Sequence, residues 1–153
     1  MPFTSISTTK PFTPDHTATP TELKKALQKA RWPVLGDIEL IKSAPKAEGD
    51  VFLELFKMGE DHEAIPCSVL DIDIGYKKNT LTADPHALIA HVLAHPDFVG
   101  EGQYFGVQWH DGTSYCYLIL GRWDGKRGVH VGRHSGGWDG DQVFVGCRKP
   151  SVI

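Results

Sequence analysis

The sequence predicts an α+β fold in which an antiparallel sheet packs against two helices, behind an extended N-terminal arm. Three observations carry this. Two stretches have helical apolar spacing and start at a capping residue followed by proline. Three central segments alternate or run apolar over strand lengths. The last third is rich in glycine and aromatic residues and is punctuated by Asp-Gly dipeptides. The expected sheet is three strands followed by a four-stranded C-terminal meander. Residues 1–19 are assigned to the arm and 20–153 to a single domain, in keeping with 153 residues.

The arm comes first. Pro2, Pro11, Pro14 and Pro20 stand among many threonines and few large apolar residues, which favours extended chain. Thr19-Pro20-Thr21-Glu22 then reads as a helix start, with Thr19 as N-cap, Pro20 in the first turn and Glu22 closing a capping box. Leu23, Ala26, Leu27 and Ala30 give one apolar stripe. Lys24, Lys25, Lys29 and Arg31 make the other face basic, and Pro33 ends the helix.

Strands are expected over Asp37–Lys42, Val51–Met58 and Val69–Tyr76. The last has Leu70, Ile72 and Ile74 opposite Asp71 and Asp73. Asp84 caps a second helix with Pro85 in its first turn. Leu88, Ile89, Val92 and Leu93 form its buried side, and Pro96 stops it.

Beyond Gly100 the three turn candidates are Asp111-Gly112, Asp124-Gly125 and Asp139-Gly140. Two-residue turns at the first two fix a register. The first pairs Val107 with Cys116 and Phe105 with Leu118. The second pairs Leu118 with Val131 and Leu120 with Val129. Both place Phe105, Val107, Trp109, Cys116, Leu118, Leu120, Val129 and Val131 on one apolar face. For the fourth strand, a bulge at Gly136-Gly137 returns Val143 and Val145 to that face.

The opposite face carries Tyr104, Gly106, Gln108, His110, Tyr115, Tyr117, Ile119, Gly121, Gly128, His130, Gly132 and His134, with Tyr117 expected between Gly106 and Gly132. Glycines permit close approach, tyrosines offer flat contact area and imidazoles offer hydrogen bonds. Tyr104, Gln108, Tyr115, Tyr117, His130 and His134 are therefore the candidate binding residues. Glycine–aromatic pairing that only stabilises the sheet explains the same pattern.

Other chemistry is less well supported. His91 and His95 lie one helical turn apart, but Val92 stands where a zinc-protease motif needs glutamate. His130 and His134 suggest an acid–base pair, as in metal-independent phosphodiester cleavage. Cys67, Cys116 and Cys147 are odd in number and widely spaced, so buried reduced thiols are expected. No phosphate-loop or dinucleotide fingerprint occurs, and no metal or cofactor is expected.

Sixteen Lys+Arg against nineteen Asp+Glu give a net charge of −3, which speaks against nucleic acid as a partner. Apolar runs are too short to span a membrane, the start lacks signal-peptide character, and a cytoplasmic location is expected. Three functional readings stay open. One is a non-catalytic binding or accessory protein holding a protein or small ligand on the Tyr/His/Gly face. Another is a small phosphodiester-cleaving enzyme using His130 and His134. The third is an assembly component tied to neighbours, or to copies of itself, by its arm.

Overall fold

The computed structural model describes residues 2–73, 75–134 and 136–150. Among these the fold is mixed α+β. A seven-stranded, mostly antiparallel sheet runs in the order β1-β3-β9-β5-β6-β7-β2, and β4 and β8 form a separate two-stranded ribbon. The strands are β1 (Phe3–Thr8), β2 (Val34–Gly36), β3 (Phe52–Met58), β4 (Ala64–Pro66), β5 (Tyr104–His110), β6 (Tyr115–Trp123), β7 (Lys126–His134), β8 (Gly137–Asp139) and β9 (Val143–Arg148). The α-helices are α1 (Pro20–Lys29) and α2 (Pro85–Ala94). No helix among the described residues is long and apolar enough to cross a membrane.

Both helix starts follow the local chemistry. Thr19 accepts the Glu22 amide while Glu22 accepts the Thr19 amide, completing the capping box of α1. Asp84 caps α2 through the Ala87 amide. Its buried carboxylate also takes His16 at 2.7 Å and the Ala47 amide at 2.9 Å, tying arm, loop and helix together. Burial opposes the charge on Asp84, but His86, His16 and the two amides outweigh it and hold the carboxyl below its ordinary range.

The first part of the arm is an edge strand: β1 pairs antiparallel with β3, and Phe12 bridges Val51 further on. Two expected strands are corrected. Ile38–Ser43 is a 3₁₀ helix capped by Asp37, because Ile38 and Ile41, three residues apart, both enter the core. Val69–Asp73 is a π-helical turn that buries Leu70 and Asp71 and exposes Ile72. Its carbonyls accept the amides of Gly75, Tyr76 and Lys77, so they need no strand partner. Ile74 lies outside the described residues.

The glycine-rich third departs from a four-stranded meander. β5, β6 and β7 do form consecutive antiparallel pairs. β8 instead leaves to pair with β4. β9 crosses back between β3 and β5, antiparallel to the first and parallel to the second. Only Asp124-Gly125 is the two-residue turn expected, with both residues at positive φ. It gives the Leu118–Val131 and Leu120–Val129 pairs as read.

The β5–β6 loop runs over four residues. The Asp111 carboxylate accepts the amides of Thr113 and Ser114 and bonds Arg133, which together hold its pKa well below the carboxylate range. The pairing is therefore Val107 with Leu118 and Phe105 with Leu120. This slip of two residues leaves every side chain on its expected face. All eight apolar-face residues are buried, together with Leu23 and Leu27 of α1 and Leu88 and Val92 of α2. Val145 reaches the core through its new neighbours rather than through a bulge beside β7.

Candidate ligand-binding face

The sheet face away from the helices is divided between a covered half and an open half. Its glycines make the division visible, because each meets an aromatic ring. A Cβ on Gly106 would strike Trp138, one on Gly132 would strike Tyr117, one on Gly121 Tyr104, and one on Gly128 Trp123. The expected Gly106–Tyr117 contact is thus corrected: Tyr117 stands opposite Gln108, and Gly106 is roofed by Trp138 from the ribbon.

Over the covered half, Gln108 is fully buried, not surface-facing. Its Nε2 donates to the Cys67 carbonyl at 2.9 Å, and its Oε1 accepts the Trp138 indole N–H at 2.8 Å. Both ends of the amide are spent holding the ribbon down, which removes Gln108 from the candidate binding set. Tyr115 is half-buried with His110 edge-on against it, and burial with the nearby Asp71 charge pushes its hydroxyl pKa up. His134 is wedged between Tyr117 and Trp138, with ring centroids 4.3 and 4.6 Å away. Burial lowers its pKa, and its Nε2 has no hydrogen-bond partner among the described residues.

His130 lies on the other side of Tyr117, whose hydroxyl is 3.2 Å from His130 Nδ1. The two histidines are four residues apart on one strand, a backbone span of about 13 Å. With the Tyr117 ring between them they do not converge on one reacting atom. Cys67 donates to the Gly136 carbonyl, and burial raises its pKa; Cys116 and Cys147 are likewise buried, free and raised. None of the three has the depressed pKa of an activated thiolate.

The open half lies at the other end of the same strands. Tyr104 and Trp123 lie nearly parallel, 16° apart with centroids 6.1 Å apart, each laid over a glycine gap. Leu35 of β2, opposite His130, and Ile119 border them, enclosing a groove of about 290 Å³. Leu35 is 66% exposed, Tyr104 43% and Trp123 39%, so three of the five exposed large apolar residues among the described residues meet here. Leu35, Trp123 and Gly128 continue into a cleft of about 630 Å³ lined also by Arg31, Arg122, Lys126 and Arg127.

Of the six candidates, Tyr104 and His130 border this groove. Tyr115, Tyr117 and His134 sit toward the roofed end, and Gln108 lies beneath the roof. Sequence reasoning missed Leu35, Trp123 and Lys126. The register was enough to find Trp123 and Lys126, since they pair across the Asp124-Gly125 turn on the same face. Leu35 carried no local signal, because β2 joins β7 in parallel from far away in sequence.

Elsewhere, His62, Asp139 and Asp141 bring potential ligand atoms within 4.8 Å of one another, all on exposed residues. His91 and His95 have ring centroids 4.5 Å apart, tilted by 38°, without a third ligand among the described residues. Compared with known proteins, the chain matches no family model, and no curated protein or solved structure matches it.

Proposed function

We propose that this protein is a non-catalytic binding or accessory protein whose ligand docks on the open half of the outer sheet face. The observation that carries this is the convergence of Leu35, Tyr104 and Trp123, exposed and contiguous, on a groove bordered by His130. Scattered exposed apolar residues are ordinary, whereas a grouped aromatic patch beside polar groups marks contact surfaces. Rigid rings lying on a sheet also lose little conformational entropy on binding. The acid–base reading is disfavoured by the Tyr117 ring between His130 and His134. The assembly reading is weakened because β1 and Phe12 bond back to the chain's own β3 region.

Trp123 makes the test direct, since Trp32, Trp109 and Trp138 are buried. Protein labelled with 5-fluorotryptophan gives one ¹⁹F line per tryptophan, with Trp123 assigned from Trp123→Phe. Titration with representative metabolites, peptides and oligonucleotides is expected to move the Trp123 line while Trp109 stays fixed. A Trp123 line unmoved by every class, or four lines moving together, refutes the proposal.

A further inference from the structure

The groove's neighbourhood narrows the chemistry of its occupant, on the reading that this face binds a ligand. A net charge of −3 describes the whole chain, but the charges are segregated. Lys24, Lys25, Lys29 and Arg31 follow one another without an intervening acid, and Arg31, just beyond the end of α1, lines the cleft together with Leu35 of β2. Lys126 stands beside Trp123 on the open face, and Arg31, Arg122 and Arg127 complete the cleft into which the groove runs. The cleft lining contains no carboxylate.

Nearby acids are largely committed. Asp97 pairs with Arg122 at 3.7 Å, and Glu101 accepts the Gly125 amide; Asp124 occupies the turn itself. Arg127 spreads over the Trp32 ring at 5.4 Å, while Arg31 and Lys126 have no ion-pair partner among the described residues.

We infer that the occupant is single-stranded nucleic acid, with one or two bases lying on the Tyr104–Trp123 floor and the adjoining phosphates in the Arg31–Lys126 cleft. Flat aromatic faces accept any base by stacking, and adjacent cations neutralise the backbone. The groove shares Leu35, Trp123 and Gly128 with the cationic cleft, so a ligand that spans both sets a planar group on the rings and an anion beside Arg31 and Lys126, the alternation a nucleic-acid strand repeats. An acidic peptide matches the cations but offers flat aromatic rings only where its sequence carries them, whereas every nucleotide sets a planar base next to a phosphate.

Fluorescence anisotropy of a labelled single-stranded decamer, at 50 and 200 mM salt, tests this. The wild-type protein is expected to bind at low salt and to weaken as salt rises. Trp123→Ala and Tyr104→Ala should each weaken binding at least tenfold. The double change Arg31→Glu with Lys126→Glu should weaken it similarly and flatten the salt dependence. Should Trp123→Ala fail to fold, displacement of the wild-type Trp123 ¹⁹F line by the decamer gives the same information.

The inference is overturned by absence of binding at 50 mM salt or by indifference to Trp123→Ala and Tyr104→Ala. Equal competition by polyglutamate would mean charge alone. Equal competition by uridine monophosphate would mean a small nucleotide rather than a strand. If the decamer fails while another ligand class moves the Trp123 line, the binding-face proposal stands and the nucleic-acid assignment falls.

Discussion

His91 offers a stability test whose size and sign both follow from its surroundings. It lies on α2 with Phe12 from the arm at 5.1 Å, His95 at 4.5 Å and Phe98 at 4.4 Å between ring centroids. Burial, and to a lesser degree the His95 charge, lower its pKa from 6.5 to about 4. Between those values the unfolded chain takes up a proton that the folded chain refuses. Stability from neutral His91 is therefore fully present above pH 6.5 and is lost as pH falls toward 4. The full interval corresponds to about 3 kcal/mol, and partial solvent access at the helix end reduces the expected loss to about 2 kcal/mol. His91→Gln keeps a polar, similarly sized side chain and removes the titration. Urea unfolding from pH 7.5 to 4.5 should show the wild type losing about 2 kcal/mol more than the variant. Using the difference between the two curves cancels the carboxylates that titrate in both. Parallel curves would refute the reasoning and place His91 in contact with water.

Asp84→Ala should cost about 3–5 kcal/mol, because it removes a helix cap and strands the buried Ala47 amide and His16. Its folded pKa is depressed, so the charge contributes stability above about pH 4 that disappears as pH falls through the lower folded value. The stability advantage of the wild type over Asp84→Asn should accordingly shrink as pH falls below about 4, so that the wild type loses stability more steeply in acid than the variant; parallel losses would count against a charged Asp84. Leu118→Ala, at the fully buried centre of the sheet, should cost about 2–5 kcal/mol with an unchanged urea m-value. Gln108→Leu leaves the Cys67 carbonyl and the Trp138 indole unpaired under the ribbon. A loss of about 2–4 kcal/mol by thermal unfolding is expected, and an unchanged melting temperature would count against the roof described here.

Local chemistry in the sequence was legible wherever it decided the structure alone. The Thr19 capping box, the Asp84 cap and the Asp124-Gly125 turn depend on residues within a few positions of one another. The apolar face survived even a mistaken turn, because a slip of two residues at Asp111 preserves side-chain alternation. Nonlocal pairing was illegible. Nothing near Val143 indicates that β9 will cross to lie beside β3, and nothing near Val34 indicates that β2 will join β7. Apolar spacing also served two masters at Ile38, Leu40 and Ile41, which fit a strand at period two and a 3₁₀ helix at period three. For the candidate site the consequence is specific. The face was found from register, but its division into roofed and open halves depends on the ribbon, whose contacts with Gln108 and Gly106 join segments far apart in sequence.

That division bears on why the open rings are there. A strand glycine weakens a sheet by about 0.5–1 kcal/mol relative to alanine, and an aromatic ring laid over it recovers part of the loss. At Gly106 and Gly132 the covering rings, Trp138 and Tyr117, are themselves packed against His134 and one another, so filling the gap also builds a second layer of core. At Gly121 and Gly128 the same device stops halfway. Tyr104 and Trp123 fill the gaps from above, yet both stay exposed where Trp138 is buried. Threonine or valine at those two positions has higher β-propensity, but its Cβ would stand 2.5 Å from the Tyr104 ring at Gly121 and 2.8 Å from the Trp123 ring at Gly128 and would push the rings off the strand. Gly121 and Gly128 are therefore what lets the two rings sit where they do. A pair of near-parallel rings seated in the glycine gaps and bordered by Leu35, His130 and Lys126 is the result. It is also the geometry that a stacking ligand requires.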